Sequence, residues 1–193
     1  QYKVPASKYN RTGKSTGQLV GGNLSIVYSM LASDTNLNME GKILFIEDVG
    51  EALYHIDRMM ISLKRAGYFN GCEGILVGDF RLKANESNPF GKTLEEIILE
   101  ATEGTDFPIV FDIPAGHIDD NRSLMLGAYI DINASTNKSK IDPYSLIGDI
   151  GSPQKSYRNI KKLLDLLGIK YQEIGLQHKS SKIWNQFVEQ TDR

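Results

Sequence analysis

The sequence holds a single cysteine, Cys72, among 193 residues. An intrachain disulfide is therefore excluded, and such cysteine usage fits a reducing compartment. Cys72 itself precedes the apolar run Ile75-Leu-Val77, where a small buried thiol is the default. Histidine is also scarce, with three in the chain. No H-E-x-x-H pattern is present, so no metal site is expected. Charge of neither sign dominates: Lys and Arg number 22 against 24 Asp and Glu, for a net charge of −2. Without a basic run, no nucleic-acid partner is suggested. The apolar runs are too short to span a bilayer, so no membrane partner is expected either. No charged-then-apolar leader is visible. The chain starts at Gln1 rather than Met, as a processed or truncated chain would.

What is present is an ordinary globular composition, 40% hydrophobic and 24% charged. Residues 1–18 are polar and rich in Gly, Ser, Thr and Lys, which reads as a connector. A short helix is expected to open at Asn23 as its N-cap, carrying Leu24, Ile26, Val27, Met30 and Leu31. Ile43–Glu47 reads as a buried strand ending on a carboxylate. From Glu51, the residues Leu53, Ile56, Met59, Met60 and Leu63 repeat at three and four, an amphipathic helix stopped by Gly67. Residues 74–80 form another strand, 81–92 a polar loop, and a helix follows from Thr93 with glutamates in its first turn. Ile109–Ile113, bounded by Pro108 and Pro114, reads as a strand, and 126–132 as one more. Residues 19–132 thus alternate strand and helix, the pattern of an α/β layered domain whose bounds are set at 19–142. Residues 133–142 look like a linker or exposed hairpin. Beyond them, 143–193 form a β-α-β-α tail too short to stand alone, with helices expected near 153–167 and 181–190.

Several motifs tempt and fail. Gly13-Lys14-Ser15 and Gly91-Lys92-Thr93 end like phosphate loops, but Lys8 and Glu86 stand where the first glycine is required. Gly13-Lys-Ser15-Thr-Gly17 matches the nucleophile elbow G-x-S-x-G in letters, yet the elbow needs a buried strand before it and a helix after it. Ser15 is therefore a secondary candidate nucleophile, the basis of a self-contained hydrolase reading. Glu51 and His55 lie four apart on one helix, where a surface pair is the simpler reading than a metal site. The remaining pair is Glu47 at one strand end and His117 just past another. If those strands are parallel neighbours, both side chains reach one rim of the sheet. A carboxylate that fixes a histidine tautomer, with the histidine as general base, is two thirds of an acyl-transfer triad.

These residues also carry a family resemblance. Gly17–Leu24, Ile43–Asp48 with Glu51, Tyr54 and Ile56-Asp57-Arg58, Gly74–Phe80 and Pro114-Ala-Gly-His-Ile-Asp-Asp-Asn121 resemble the C-terminal domain of the LD-carboxypeptidases. These are serine peptidases that include muramoyltetrapeptide carboxypeptidases and microcin-immunity peptidases, and the resemblance is stronger to the muropeptide branch. It implies a swivelling β/β/α-type domain and a Ser-Glu-His triad in which Glu47, preferred over Glu51, orients His117. Gly21, Gly22 and Asn23 match a motif near the family's domain interface, with substrate binding or interface contact as the implied roles. The resemblance further implies a muropeptide substrate cleaved before its terminal D-alanine, cytoplasmic action in peptidoglycan recycling, and no cofactor. The family's serine sits in a separate N-terminal domain, which becomes the expected partner; a homodimer stays open. A non-catalytic module that binds cell-wall peptides is the remaining alternative.

Overall fold

The computed structural model describes residues 2–83 and 89–143. The chain divides into two units, Gln1–Tyr144 and Ser145–Arg193. The strands and helices expected in the tail beyond Pro143 lie outside the described residues.

The elements are β1 (Tyr2–Val4), β2 (Gly13–Asn23), α1 (Leu24–Ser29), β3 (Lys42–Val49), α2 (Leu53–Arg65), β4 (Cys72–Arg81), α3 (Leu94–Ala101), β5 (Ile109–Val110), β6 (Tyr129–Ala134) and β7 (Ser139–Pro143). They build one sheet in the order β1-β7-β6-β2-β3-β4-β5. β2 to β5 are mutually parallel, while β6, β7 and β1 run antiparallel. The parallel half places the carboxyl ends of its strands along one edge, the edge where α/β sheets collect ligands. The fold is thus the mixed α/β class expected.

Strand alternation sorts the core into two faces. Leu44, Ile46, Ile75 and Val77 pack with Leu24, Val27, Ile56, Met60, Leu63, Ile97 and Ile98 of the helices. Ile43, Phe45, Leu76 and Val110 face the other way, onto Ile113, Ala115, Ile130 and Ile132. Burial of such side chains contributes about 1.5–3 kcal/mol each before conformational entropy is subtracted.

Helix boundaries follow local chemistry. The Asn23 side chain accepts from the Ile26 amide at 3.2 Å and opens α1. Lys64 and Arg65 close α2 against its negative end, and Gly67 follows at φ +82. Thr93 and Glu96 form a reciprocal capping box on α3.

Two expectations need correction. Residues 1–18 are not merely a connector. Gly13–Gln18 ladder against Tyr129–Ala134, and Gln18 also pairs with Lys42 of β3. The polar letters mislead because paired neighbours satisfy them: the Thr16 hydroxyl donates to Asp131, and the Lys42 ammonium donates to Gln18. Upstream, Asn10 is 5% exposed and its side chain binds the Ser135 carbonyl, the Ser139 hydroxyl and the Phe111 amide. The histidine-bearing strand is also shorter than expected. Only Ile109 and Val110 are regular. Phe111–Ala115 then bends away, with Asp112 at φ +61. Residues 133–142 take the hairpin option, pairing β6 with β7.

Candidate active site

β3 ends with two consecutive carboxylates that the pleat sends to opposite faces. Asp48 turns toward α1, where it accepts from the Ser25 amide and the Asn23 side chain, both at 2.9 Å. Glu47 turns to the face shared with Phe45. There its Oε2 lies 2.7 Å from Nδ1 of His117. The carboxylate side chain is 10% exposed and the imidazole 45%. Glu47 is therefore shielded from competing water, while the ring can still be reached by a substrate.

A bulge in β4 makes room for this meeting. Ile46 pairs with Val77 and Asp48 with Phe80, so Gly78 and Asp79 together stand opposite Glu47. The freed Asp79 amide donates to the Ala115 carbonyl at 2.9 Å, which draws the histidine segment alongside β4. Gly78 is required there, since a Cβ would meet the Ala115 carbonyl at 2.4 Å. Gly116 is required too: at φ +123, its Cβ would crowd Glu47 Cβ at 3.1 Å. The dyad opens into a pocket of about 340 Å³ lined by Phe45, Glu47, Gly116, His117, Asn121 and Leu124 among others. With Nδ1 committed to Glu47, Nε2 is the ring nitrogen able to exchange a proton with a reactant.

The other candidates are distributed differently. Glu51 does not approach His117; its Oε2 is 2.9 Å from Nδ1 of His55, an exposed pair on α2. Gly21 has a backbone role, because a Cβ would lie 2.1 Å from the Phe45 carbonyl. Gly22 faces open space at φ +146. Asn23 is the α1 cap and pairs in register with Glu47, so the motif lies on the edge that carries the dyad. Ser15 lies eight residues upstream of Asn23 within β2, roughly 26 Å away at about 3.3 Å per residue. It lies near the start of β2, within the strand and not on an elbow, and its hydroxyl is buried. The self-contained reading with Ser15 as nucleophile is therefore overturned: strand geometry puts Ser15 at the far end of the sheet from His117. Ser123 lines the dyad pocket, but in irregular chain without a strand-to-helix turn.

Sequence reasoning placed Gly78, Asp79 and Asn121 within motifs of the resemblance but gave them no role in the site. By local pattern their letters signal a strand end and a polar turn. Their importance depends on contacts with Ala115, Glu47 and Gly116 that no local pattern encodes.

A mixed α/β sheet with a carboxylate–imidazole pair on its carboxyl edge defines a class of domain that can relay a proton at that edge. Comparison with known proteins narrows the class to one family. Residues 16–132 match the LD-carboxypeptidase C-terminal domain, and the chain belongs to that family. It is 35% identical over 134 residues to a probable murein peptide carboxypeptidase of Bacillus subtilis, covering 67% of this chain and 41% of that protein. It is 26% identical over 136 residues to the microcin C7 self-immunity protein MccF of Escherichia coli, covering 68% and 38%. Its fold superposes on the muramoyltetrapeptide carboxypeptidase of Oxalobacter formigenes with a TM-score of 0.66 at 24% identity, over 74% of this chain and 48% of the other. The chain therefore spans about two fifths of the length of these curated relatives. Among the described residues, no helix is long and apolar enough to cross a membrane.

Proposed function

We propose that this domain supplies the general base and its orienting carboxylate to a serine LD-carboxypeptidase acting on muropeptides in the cytoplasm during peptidoglycan recycling. The observation that carries the reading is the 2.7 Å contact between Glu47 and His117. Glu47 holds the imidazole with its proton on Nδ1 and offsets the positive charge that forms during catalysis. Nε2 takes the proton of a serine hydroxyl as that oxygen attacks the carbonyl before the terminal D-alanine. The same nitrogen returns the proton to the leaving amine. Water then repeats the cycle on the acyl-enzyme: Nε2 accepts its proton, the acyl–oxygen bond breaks, and the serine recovers its hydrogen.

The serine belongs, in this reading, to the part of the protein that the relatives carry beyond the matched domain. It would approach along the edge that carries Asn23, Glu47 and His117, and Gly21-Gly22-Asn23 would border the joined surface. No metal or organic cofactor enters the scheme.

The test uses a full-length protein containing this domain and a muramoyl tetrapeptide. His117→Ala should lower turnover by at least about 1,000-fold without loss of folding. A fall of less than about tenfold would remove His117 from the chemistry. Tetrapeptide binding with no turnover in the unaltered protein would favour a binding module instead.

A further inference from the structure

The geometry points to Asn121 as a positioning residue for His117, an inference that rests on His117 being the base. His117 sits on an irregular loop with little apolar packing: residues 119 to 123 are all exposed. Two hydrogen bonds close that loop. The Arg122 amide donates to the Pro114 carbonyl at 2.8 Å and forms its neck. Inside the neck, the Gly116 amide donates to the Asn121 side-chain oxygen at 3.2 Å.

The second bond matters because of what Gly116 must be. Its φ of +123 is one that side-chain-bearing residues rarely adopt, and a Cβ there would also crowd Glu47 at 3.1 Å, so the residue before His117 is held to glycine. Glycine, however, visits positive and negative φ about equally, which places a free hinge directly before the base. Asn121 removes that freedom by holding the Gly116 amide from across the loop, as asparagine side chains do when they replace a backbone acceptor. Asn121 also lines the dyad pocket. The steric need for glycine and the clamp on its amide form one device: the first admits the loop to Glu47, and the second keeps the imidazole aimed.

The experiment follows the histidine rings of the 193-residue chain by long-range ¹H–¹⁵N spectra, at a pH high enough for the imidazole to be neutral. In the unaltered chain, His117 should show one fixed tautomer with its proton on Nδ1. Asn121→Ala should replace it with an average of both tautomers, while His55 and amides remote from the loop keep their signals. Asn121→Asp retains an acceptor oxygen and should restore the fixed tautomer. An unchanged His117 in Asn121→Ala would overturn the positioning role, as would Asn121→Asp behaving like Asn121→Ala. An unaltered chain whose His117 already averages its tautomers would overturn the dyad reading itself, and the positioning role with it. That failure is seen before any substitution is made, so the two are told apart.

Discussion

Nδ1 of His117 and Oε2 of Glu47 lie 2.7 Å apart although 70 positions separate the residues in sequence. Glu47 sits near the end of β3 and His117 on an irregular loop beyond β5, so any loss of the contact is a loss of orientation more than of binding. In a full-length protein carrying this domain, Glu47→Gln should lower kcat by about 100- to 10,000-fold with KM little changed. Glu51→Gln should change either constant by less than about threefold, since Glu51 contacts His55 instead. Steady-state kinetics with a tetrapeptide decides between them.

Gly21 and Gly22 are neighbours with opposite surroundings. Gly21→Ala forces a Cβ to within 2.1 Å of the Phe45 carbonyl, so backbone must move. It should destabilise the chain by about 3–5 kcal/mol. Gly22→Ala meets nothing within 4 Å. Its cost should be the backbone conformation alone, about 1–2 kcal/mol. Urea unfolding of the two variants measures the difference, and equal losses would contradict the packing described.

Asn10 is buried and satisfies three groups at once, on β7, on the β6–β7 turn and on Phe111. Asn10→Ala would leave the buried Phe111 amide without its acceptor, while the Ser135 carbonyl and the Ser139 hydroxyl keep each other. A loss of about 2–3 kcal/mol is expected. Because Phe111 leads into the histidine segment, amide exchange should rise along 111–117 as well as in the hairpin.

Cys72 is held as a thiol, its pKa pushed from 9.0 up to about 11 by burial. At pH 8 the folded chain then carries about 100-fold less thiolate than the unfolded chain, so alkylation should be slower by at least that factor. Urea should abolish the protection. The sign for stability follows from the raised folded value. Above about pH 9 the unfolded chain sheds the proton and the folded chain keeps it, so stability declines as pH rises toward about 11.

Local chemistry was legible wherever a side chain acts on its own neighbourhood. Asn23 capping α1, Thr93 opening α3 and Gly67 ending α2 are all interactions within a few residues. The α/β alternation was legible for the same reason, since helix and strand periods are local. The first strand of the parallel set was not, because Lys14, Ser15 and Thr16 become strand residues only through partners on β6 more than a hundred positions away. The irregular course of Phe111–Ala115 was equally hidden: it is imposed by hydrogen bonds from β4 and from Asn10. For the dyad, both residue types were visible at strand ends, but their meeting depends on a bulge in a third strand.

The adjacent carboxylates of β3 show how little separates two unrelated duties. Glu47 meets an imidazole on one face, and Asp48 holds a helix start on the other. The chain's choice between them is one of parity, odd or even along the strand. Deletion of a single residue earlier in β3 would present Asp48, one methylene shorter, to His117 and Val49 to α1. Composition and hydrophobicity would barely change, yet the proton relay and the cap would both be mis-set. Selection on such a strand therefore acts on counting as strictly as on chemistry.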